Sequence, residues 1–188
     1  MAARLRRSAP HLQALFFPQP VHFLLVDLDA VVEPQVCPRP PEPVPWILAG
    51  IDQVFDVLSN PERHQKLDGS GFVRGVDHAD RIQKVGEVFT MNMDGPHMGG
   101  EYKTDNHVTG YAKDKLLAWQ TAPAGTQPPG WEWLWELEAQ GPDATLVRHT
   151  YDWSKVTDKD LLQKVKFPLV TPDQLEDTLA RLAAEVTG

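Results

Sequence analysis

The sequence contains very little cysteine. Cys37 is the single cysteine among 188 residues, so no disulfide can close within the chain and no cluster of thiolates can hold a metal. A chain without disulfides is typical of a reducing compartment. We therefore expect a cytoplasmic protein.

Positive charge is also scarce. The chain has 18 lysines and arginines against 26 aspartates and glutamates, which gives a formal net charge of −8 at pH 7. Basic and acidic residues balance within residues 1–43, so the whole net charge lies on residues 44–188. An acidic chain without a basic stripe opposes binding to a phosphate backbone. The composition predicts no nucleic-acid partner.

Long apolar runs and the common catalytic motifs are absent as well. The apolar stretch Val21–Val32 is interrupted by Asp27 and Asp29 and is too short to cross a membrane. The chain has no HExxH, no glycine-rich nucleotide motif and no G-x-S-x-G, and its seven histidines are not paired at metal-ligand spacing. We predict no membrane span, no metal and no cofactor.

Residues 1–43 differ from the rest of the chain. Prolines concentrated between Pro34 and Pro45 are typical of a stiff, polyproline-like linker. We interpret residues 1–43 as a poorly ordered extension, or one translated from a start codon upstream of the functional one. The alternatives are a docked extra strand at Val21–Leu28 and a secretion signal, suggested by arginines before the apolar Leu12–Phe17. Residues 44–188 are predicted to form one domain.

The most informative segment of the chain is Trp131–Glu138. Side chains alternate faces along a β-strand, so its three tryptophans share one face and its glutamates share the other. Half of the six tryptophans therefore lie in one row. Three indoles in a row need a large apolar cover, which is a packed core, a helix or the wall of a cavity.

Seven segments have the composition and spacing of strands. Short links between consecutive segments predict an antiparallel meander. The predicted strands are Val44–Leu48, Phe72–Val76, Val85–Met93, Glu101–Tyr111, Leu116–Thr121, Trp131–Glu138 and Ala144–Trp153.

Helical spacing occurs near both ends of residues 44–188. Ile51–Leu58 has apolar residues at helical intervals and is stopped by Asn60-Pro61, after which Pro61 opens a second short helix to Leu67. Thr157–Lys166 is a further candidate. The last helix has a capping box in which Thr171 is followed three residues later by Gln174. Its apolar stripe is Leu175, Leu179, Leu182 and Val186.

These elements predict an α+β fold, in which a curved antiparallel sheet of about seven strands packs on a long C-terminal helix, with two short helices after the first strand. This order resembles the helix-grip fold of the START-like superfamily, also called SRPBCC, and its bacterial polyketide cyclase/dehydrase branch. The resemblance covers Val44 to the C-terminus. The segments that carry it are Ile51–Arg63, Val85–Phe89, Leu116–Trp119 and His149–Trp153.

The resemblance implies a deep, mainly apolar cavity between the sheet and the terminal helix. Members of the superfamily include lipid and hormone carriers, polyketide aromatase/cyclases, chaperone activators and ribosome-associated factors. Because no catalytic signature is common to all of them, the resemblance implies a fold more firmly than a reaction.

Candidate site residues follow from the faces of the predicted strands. His149 and Tyr151 share a face of the last strand with Val147, and they would project an imidazole and a phenol into the cavity as an acid/base pair or as groups that orient a ligand. The alternative is that both are core residues whose polar atoms are satisfied by neighbours. The expected ligand-binding residues are Phe89, Met91, Met93, Trp119, Trp131, Trp133, Trp135, Trp153, Leu175 and Leu179.

The leading hypothesis is binding of a hydrophobic or aromatic small molecule, lipid-like or polyketide-like, by a monomer or homodimer. The alternative is a polyketide cyclase or dehydratase that uses His149 and Tyr151 for proton transfer. A weaker alternative is a module that acts through a protein partner. The loop His97–Gly100 is expected to close over the cavity entrance because it is rich in glycine.

Overall fold

A computed structural model of the protein describes residues 46–188. Helix α1 (Ile51–Leu58) is followed by a 3₁₀ turn (Pro61–Arg63) and the short α2 (His64–Leu67). Six strands come next, and helices α3 and α4 end the chain. The strands are β1 (Val73–His78), β2 (Val88–Gly95), β3 (Gly100–Ala112), β4 (Leu116–Pro123), β5 (Glu132–Ala139) and β6 (Thr145–Asp152), and the last helices are α3 (Lys159–Val165) and α4 (Pro172–Thr187).

The six strands form one antiparallel sheet whose spatial order is the sequence order, β1 to β6. Short connections allow each strand to pair with the next, as the meander prediction requires. The fold is therefore α+β, with one antiparallel sheet and a C-terminal helix, as predicted.

The prediction of about seven strands is wrong for the described residues, because the sheet has six. The predicted first strand, Val44–Leu48, is reduced among them to a single bridge between Ile47 and Thr145. The carbonyl of Ile47 accepts from the Thr145 amide and also from the Ala49 amide, each at 2.9 Å. Since Ala49 is committed to this local turn, the chain bends into α1 and the pairing stops.

The start of β2 differs most from its prediction. β2 starts at Val88 and not at Val85, because Gly86 adopts a left-handed backbone conformation (φ 89°) just before it. Val85 is consequently outside the sheet and 56% exposed. The predictions for residues 1–43, including a strand at Val21–Leu28, lie outside the described residues.

The helix boundaries follow local signals. The Asn60 side chain accepts from the Glu62 amide, and Pro61 takes the first position of the 3₁₀ turn, so α1 ends where the sequence predicted. Thr171 and Gln174 form the predicted capping box at the start of α4. None of the helices in residues 46–188 is long and apolar enough to cross a membrane.

The core lies between the inner face of the sheet and the helices. α4 contacts α1 and α2, and its Leu179 and Leu182 join a buried cluster with Phe55, Leu58 and Leu117. Burial of such side chains contributes roughly 1.5–3 kcal/mol each. Around this core the sheet and the segment after β6 leave a space that the side chains do not fill.

Candidate functional site

An internal cavity of about 290 Å³ lies beside the core. Its walls come from the inner faces of β2 to β6, from α2 and α4, and from the segment around α3. Aromatic, aliphatic and methionine side chains form most of the surface, with a few polar groups between them. A mainly apolar cavity with sparse polar groups is the usual form of a small-molecule site.

Two stacked ring pairs cross from β5 to β6. Trp135 is opposite His149 in the strand register and Trp133 is opposite Tyr151. The Trp135 and His149 ring centroids are 3.6 Å apart, and those of Trp133 and Tyr151 are 4.1 Å apart, both with planes 9° from parallel. Cross-strand pairs at this spacing stabilise neighbouring strands. The ring ladder formed by Trp133, Trp135, His149 and Tyr151 is therefore part of the sheet as well as of the cavity wall.

Phe167 extends this ladder from the segment after α3. Its ring lies 5.6 Å from the Trp131 ring and 6.1 Å from the Trp153 ring, the latter nearly parallel at 12°. Trp131 itself precedes the first residue of β5. The Phe167 contacts hold the connection between β6 and α4 against the open end of the ring ladder.

The opposite part of the wall comes from β2, β4 and α2. Phe89 meets Trp119 edge to face, with ring centroids 5.6 Å apart. The His64 ring stacks on Trp119 at 5.3 Å and also meets the edge of Phe89 at 5.5 Å. His64 therefore completes an aromatic cluster that the sequence pattern did not suggest.

Strand β3 contributes the polar part of the inner face. The Thr121 hydroxyl donates to Asn106 Oδ1 at 2.7 Å, and the Asn106 amide donates to the Phe89 carbonyl at 3.3 Å. The Thr104 hydroxyl, on the same face, is buried and has no hydrogen-bond partner among the described residues. These side chains give an otherwise apolar cavity fixed hydrogen-bonding groups.

Burial strongly perturbs His149 in the cavity wall. Burial lowers the pKa of its imidazole to about 3, so the ring is neutral at pH 7. Within residues 46–188 neither His149 Nδ1 nor Trp135 Nε1 has a hydrogen-bond partner, although both atoms are buried. Such unpaired groups are rare in folded proteins. Both atoms belong to the stacked pair of Trp135 and His149.

The segment between β2 and β3 borders the cavity, and closure of the loop His97–Gly100 over an entrance stays a prediction. A 3₁₀ turn (Pro96–Met98) carries His97, whose Nε2 is 3.1 Å from the Tyr102 hydroxyl, and Met98, which is 45% exposed. Burial, followed by the charges of Asp68 and Asp94, raises the pKa of Tyr102 to about 12. The Tyr102 phenol is therefore protonated at pH 7.

Of the predicted site residues, all but Trp153 and Leu179 line the cavity. Trp153 instead stacks on Phe167, and Leu179 belongs to the core cluster. The sequence interpretation missed His64, Tyr102 and the Thr104/Asn106 pair. The signal for β3 was present, since Thr104, Asn106 and Val108 alternate and are all buried. Whether these residues bind a ligand stays a prediction.

No group of three or more histidine, cysteine, aspartate or glutamate side chains within residues 46–188 is placed to hold a metal ion. Some of the acidic side chains of the described region form ion pairs with lysine or arginine. Glu185 on α4, for example, contacts Arg63 of the 3₁₀ turn and Lys66 of α2, and so ties α4 to both.

Comparison with known sequences gives two curated relatives and no matching family model. The relatives are the uncharacterized proteins Rv0088 and MT0096 of Mycobacterium tuberculosis, 32% and 31% identical over 107 residues. That match covers 57% of this chain and 44% of each relative. The chain therefore spans less than half the length of the curated relatives it matches.

Solved bacterial structures share the fold. A protein from Arthrobacter aurescens superposes with a TM-score of 0.54 at 13% identity, covering 76% of this chain and 83% of its own. CV1439 from Chromobacterium violaceum gives 0.52 at 14% identity (77% and 94% covered), and Ms6760 from Mycobacterium smegmatis gives 0.51 at 12% identity (76% and 87% covered). At these identities the likeness concerns the fold alone.

Proposed function

We propose that this chain is a helix-grip domain of the START-like type that binds an apolar, ring-containing small molecule in its internal cavity. The observation that carries the proposal is the 290 Å³ cavity itself, which is walled by stacked aromatic rings. Its volume falls near the lower end of the range usual for small-molecule pockets. Flat indole and phenol faces favour a planar partner, because offset stacking adds to the gain from burying apolar area.

The order of elements supports the helix-grip assignment. A helix pair precedes an uninterrupted antiparallel meander, and a long helix with an apolar stripe follows it. The core contacts of Leu179 and Leu182 join that helix to the sheet residues. Solved bacterial structures with the same fold support this assignment at the level of architecture.

A cyclase or dehydratase is the second candidate. One observation favours it, which is that His149 and Tyr151 both line the cavity. A general base works best with a pKa near the working pH, and burial lowers the pKa of His149 to about 3. The imidazole is thus a weak base at this position, and binding is the better supported function. Incubation with a cyclisable β-polyketone tests this candidate, because an enzyme must form a product that His149→Phe abolishes.

Equilibrium dialysis against 2-methoxynaphthalene and lauric acid tests the binding proposal. We expect the wild-type chain to retain at least the aromatic probe. Trp133→Ala should weaken that binding about tenfold, because an aromatic contact contributes about 0.5–1.5 kcal/mol beyond its buried area.

Trp46→Ala is the matched control. Trp46 is 51% exposed and lies away from the cavity, so its removal should leave the dissociation constant unchanged. Failure to bind the aromatic probe, or an equal loss of affinity in both variants, would contradict the proposal.

A further inference from the structure

His64 is held in one orientation by a backbone carbonyl. The chain turns back after Asn60-Pro61, and His64 Nε2 comes within 2.8 Å of the Leu58 carbonyl oxygen at the end of α1. Trp119 supports one face of the ring and Phe89 meets it edge to face. The imidazole therefore has little freedom to rotate.

The Leu58 contact also fixes which nitrogen carries the proton. A carbonyl oxygen only accepts hydrogen bonds, so Nε2 must donate. Burial lowers the pKa of His64, which favours the neutral ring, and a neutral ring protonated at Nε2 leaves Nδ1 with a lone pair. Nδ1 is consequently an acceptor and not a donor.

The position of Nδ1 relates this acceptor to the cavity. Nδ1 lies on the ring edge opposite Nε2, so it turns away from α1, and His64 is one of the residues that line the cavity. Within residues 46–188 no residue donates a hydrogen bond to Nδ1, and the ring's hydrogen bond is the one from Nε2 to the Leu58 carbonyl. The apolar neighbours Phe89 and Trp119 also leave the acceptor without a protein donor.

We propose that His64 is a specificity-determining residue that accepts a hydrogen bond from a hydroxyl group on an aromatic ligand, so that the cavity selects phenol-like molecules over their ethers. This inference rests on the proposed binding function and adds the chemical class of the ligand. An ether of the same shape leaves the Nδ1 lone pair unsatisfied in an apolar site, which costs binding free energy.

Two matched probes test this inference. 2-Naphthol carries the hydroxyl donor, and 2-methoxynaphthalene replaces its hydrogen with a methyl group. By equilibrium dialysis we expect the wild-type chain to bind 2-naphthol about tenfold more tightly than the ether, the factor that corresponds to a net hydrogen bond of about 1.4 kcal/mol. His64→Phe keeps a ring on Trp119 and should reduce this preference to near unity while it retains the ether.

His78→Phe is the control, since His78 is exposed on β1 and its replacement should leave the preference as in the wild type. If His64→Phe fails to fold, long-range ¹H–¹⁵N spectra of the wild-type histidines provide the second measurement. They should report His64 protonated at Nε2, with an Nδ1 resonance that moves with 2-naphthol and not with the ether.

The possible failures are distinguishable. If neither probe binds, the cavity proposal fails, and the His64 inference fails with it. If both probes bind with equal affinity, or if His64→Phe keeps the preference for 2-naphthol, the cavity proposal survives and the role of His64 is refuted.

Discussion

The Trp135 indole and the His149 imidazole lie face to face across β5 and β6, with ring centroids 3.6 Å apart and planes 9° from parallel. Both side chains are buried, and each has a ring nitrogen without a hydrogen-bond partner among the described residues. The pair thus contributes packing energy at the expense of unpaired polar atoms. The same pair links the stability of the sheet to the protonation of one histidine.

The first prediction concerns pH and His149. Its pKa of about 3 in the fold is below the ordinary 6.5, so the unfolded chain binds the proton more readily. The contribution of the neutral ring is fully present above pH 6.5 and is lost as the pH falls toward 3, by up to about 1.4 kcal/mol per pH unit. His149→Phe, which keeps the stack, should remove this part of the slope in urea unfolding between pH 7 and 4.5.

His64 adds a pH dependence of stability with the same sign, because burial also lowers its pKa. The His149→Phe variant therefore keeps part of the slope. His78→Gln at an exposed position should unfold with the wild-type slope. A His149→Phe slope equal to that of the wild type would mean that His149 titrates normally in the fold.

The second prediction compares two threonines on the inner face of the sheet. Thr104→Val removes a buried hydroxyl without a partner and should raise the free energy of unfolding by about 1 kcal/mol. Thr121→Val removes a hydroxyl that donates to Asn106 Oδ1 and should lower it by about 1 kcal/mol. Chemical denaturation of the two isosteric variants measures the difference, and equal effects would show that Thr104 has a partner in solution.

The third prediction tests the start of α4. The Thr171 hydroxyl accepts from the Gln174 amide, and Thr171→Ala should cost about 1 kcal/mol of stability by thermal or urea unfolding. Thr187→Ala at the exposed end of the same helix is the control, expected within about 0.5 kcal/mol of the wild type. Similar losses in both variants would show that the Thr171 cap contributes no more to stability than the exposed Thr187.

The fourth prediction concerns the approach of Gly69 to α4. A Cβ at Gly69 would contact the Gln174 carbonyl oxygen and lie 2.7 Å from the Thr178 amide nitrogen. Both obstacles are backbone atoms, so Gly69→Ala must displace α4 and should cost about 1–3 kcal/mol. The variant should also weaken binding of 2-methoxynaphthalene, because α4 contributes Leu175 and Thr178 to the cavity. A Gly69→Ala variant with wild-type stability would contradict this close approach.

Much of the fold was predictable because its signals are local. Alternation placed Trp133, Trp135, His149 and Tyr151 on inner faces, and the capping box fixed the start of α4. The prediction of a seventh strand was wrong because strand pairing depends on a partner that lies far along the chain. Within residues 46–188, only Ile47 of the predicted strand reaches Thr145 before Ala49 turns the backbone into α1.

The candidate site also combines features that were predictable from the sequence with features that were not. The row of tryptophans and the inward His149 follow from the period of a strand, which is a property of the chain alone. Which rings stack, and with what, depends on strand register and on elements distant in sequence, as Phe167 against Trp153 illustrates.

The sequence by itself determined the alternating faces, the helix boundaries and an excess of aromatic area that required a cover, because each depends on neighbours within a few residues. The tertiary structure decided that this area borders a cavity instead of a filled core. It also decided that His64 meets Trp119 with its proton fixed by Leu58. The physical reason is that a cavity and the pairing of buried polar atoms arise only when separate elements pack, and no local pattern encodes that packing.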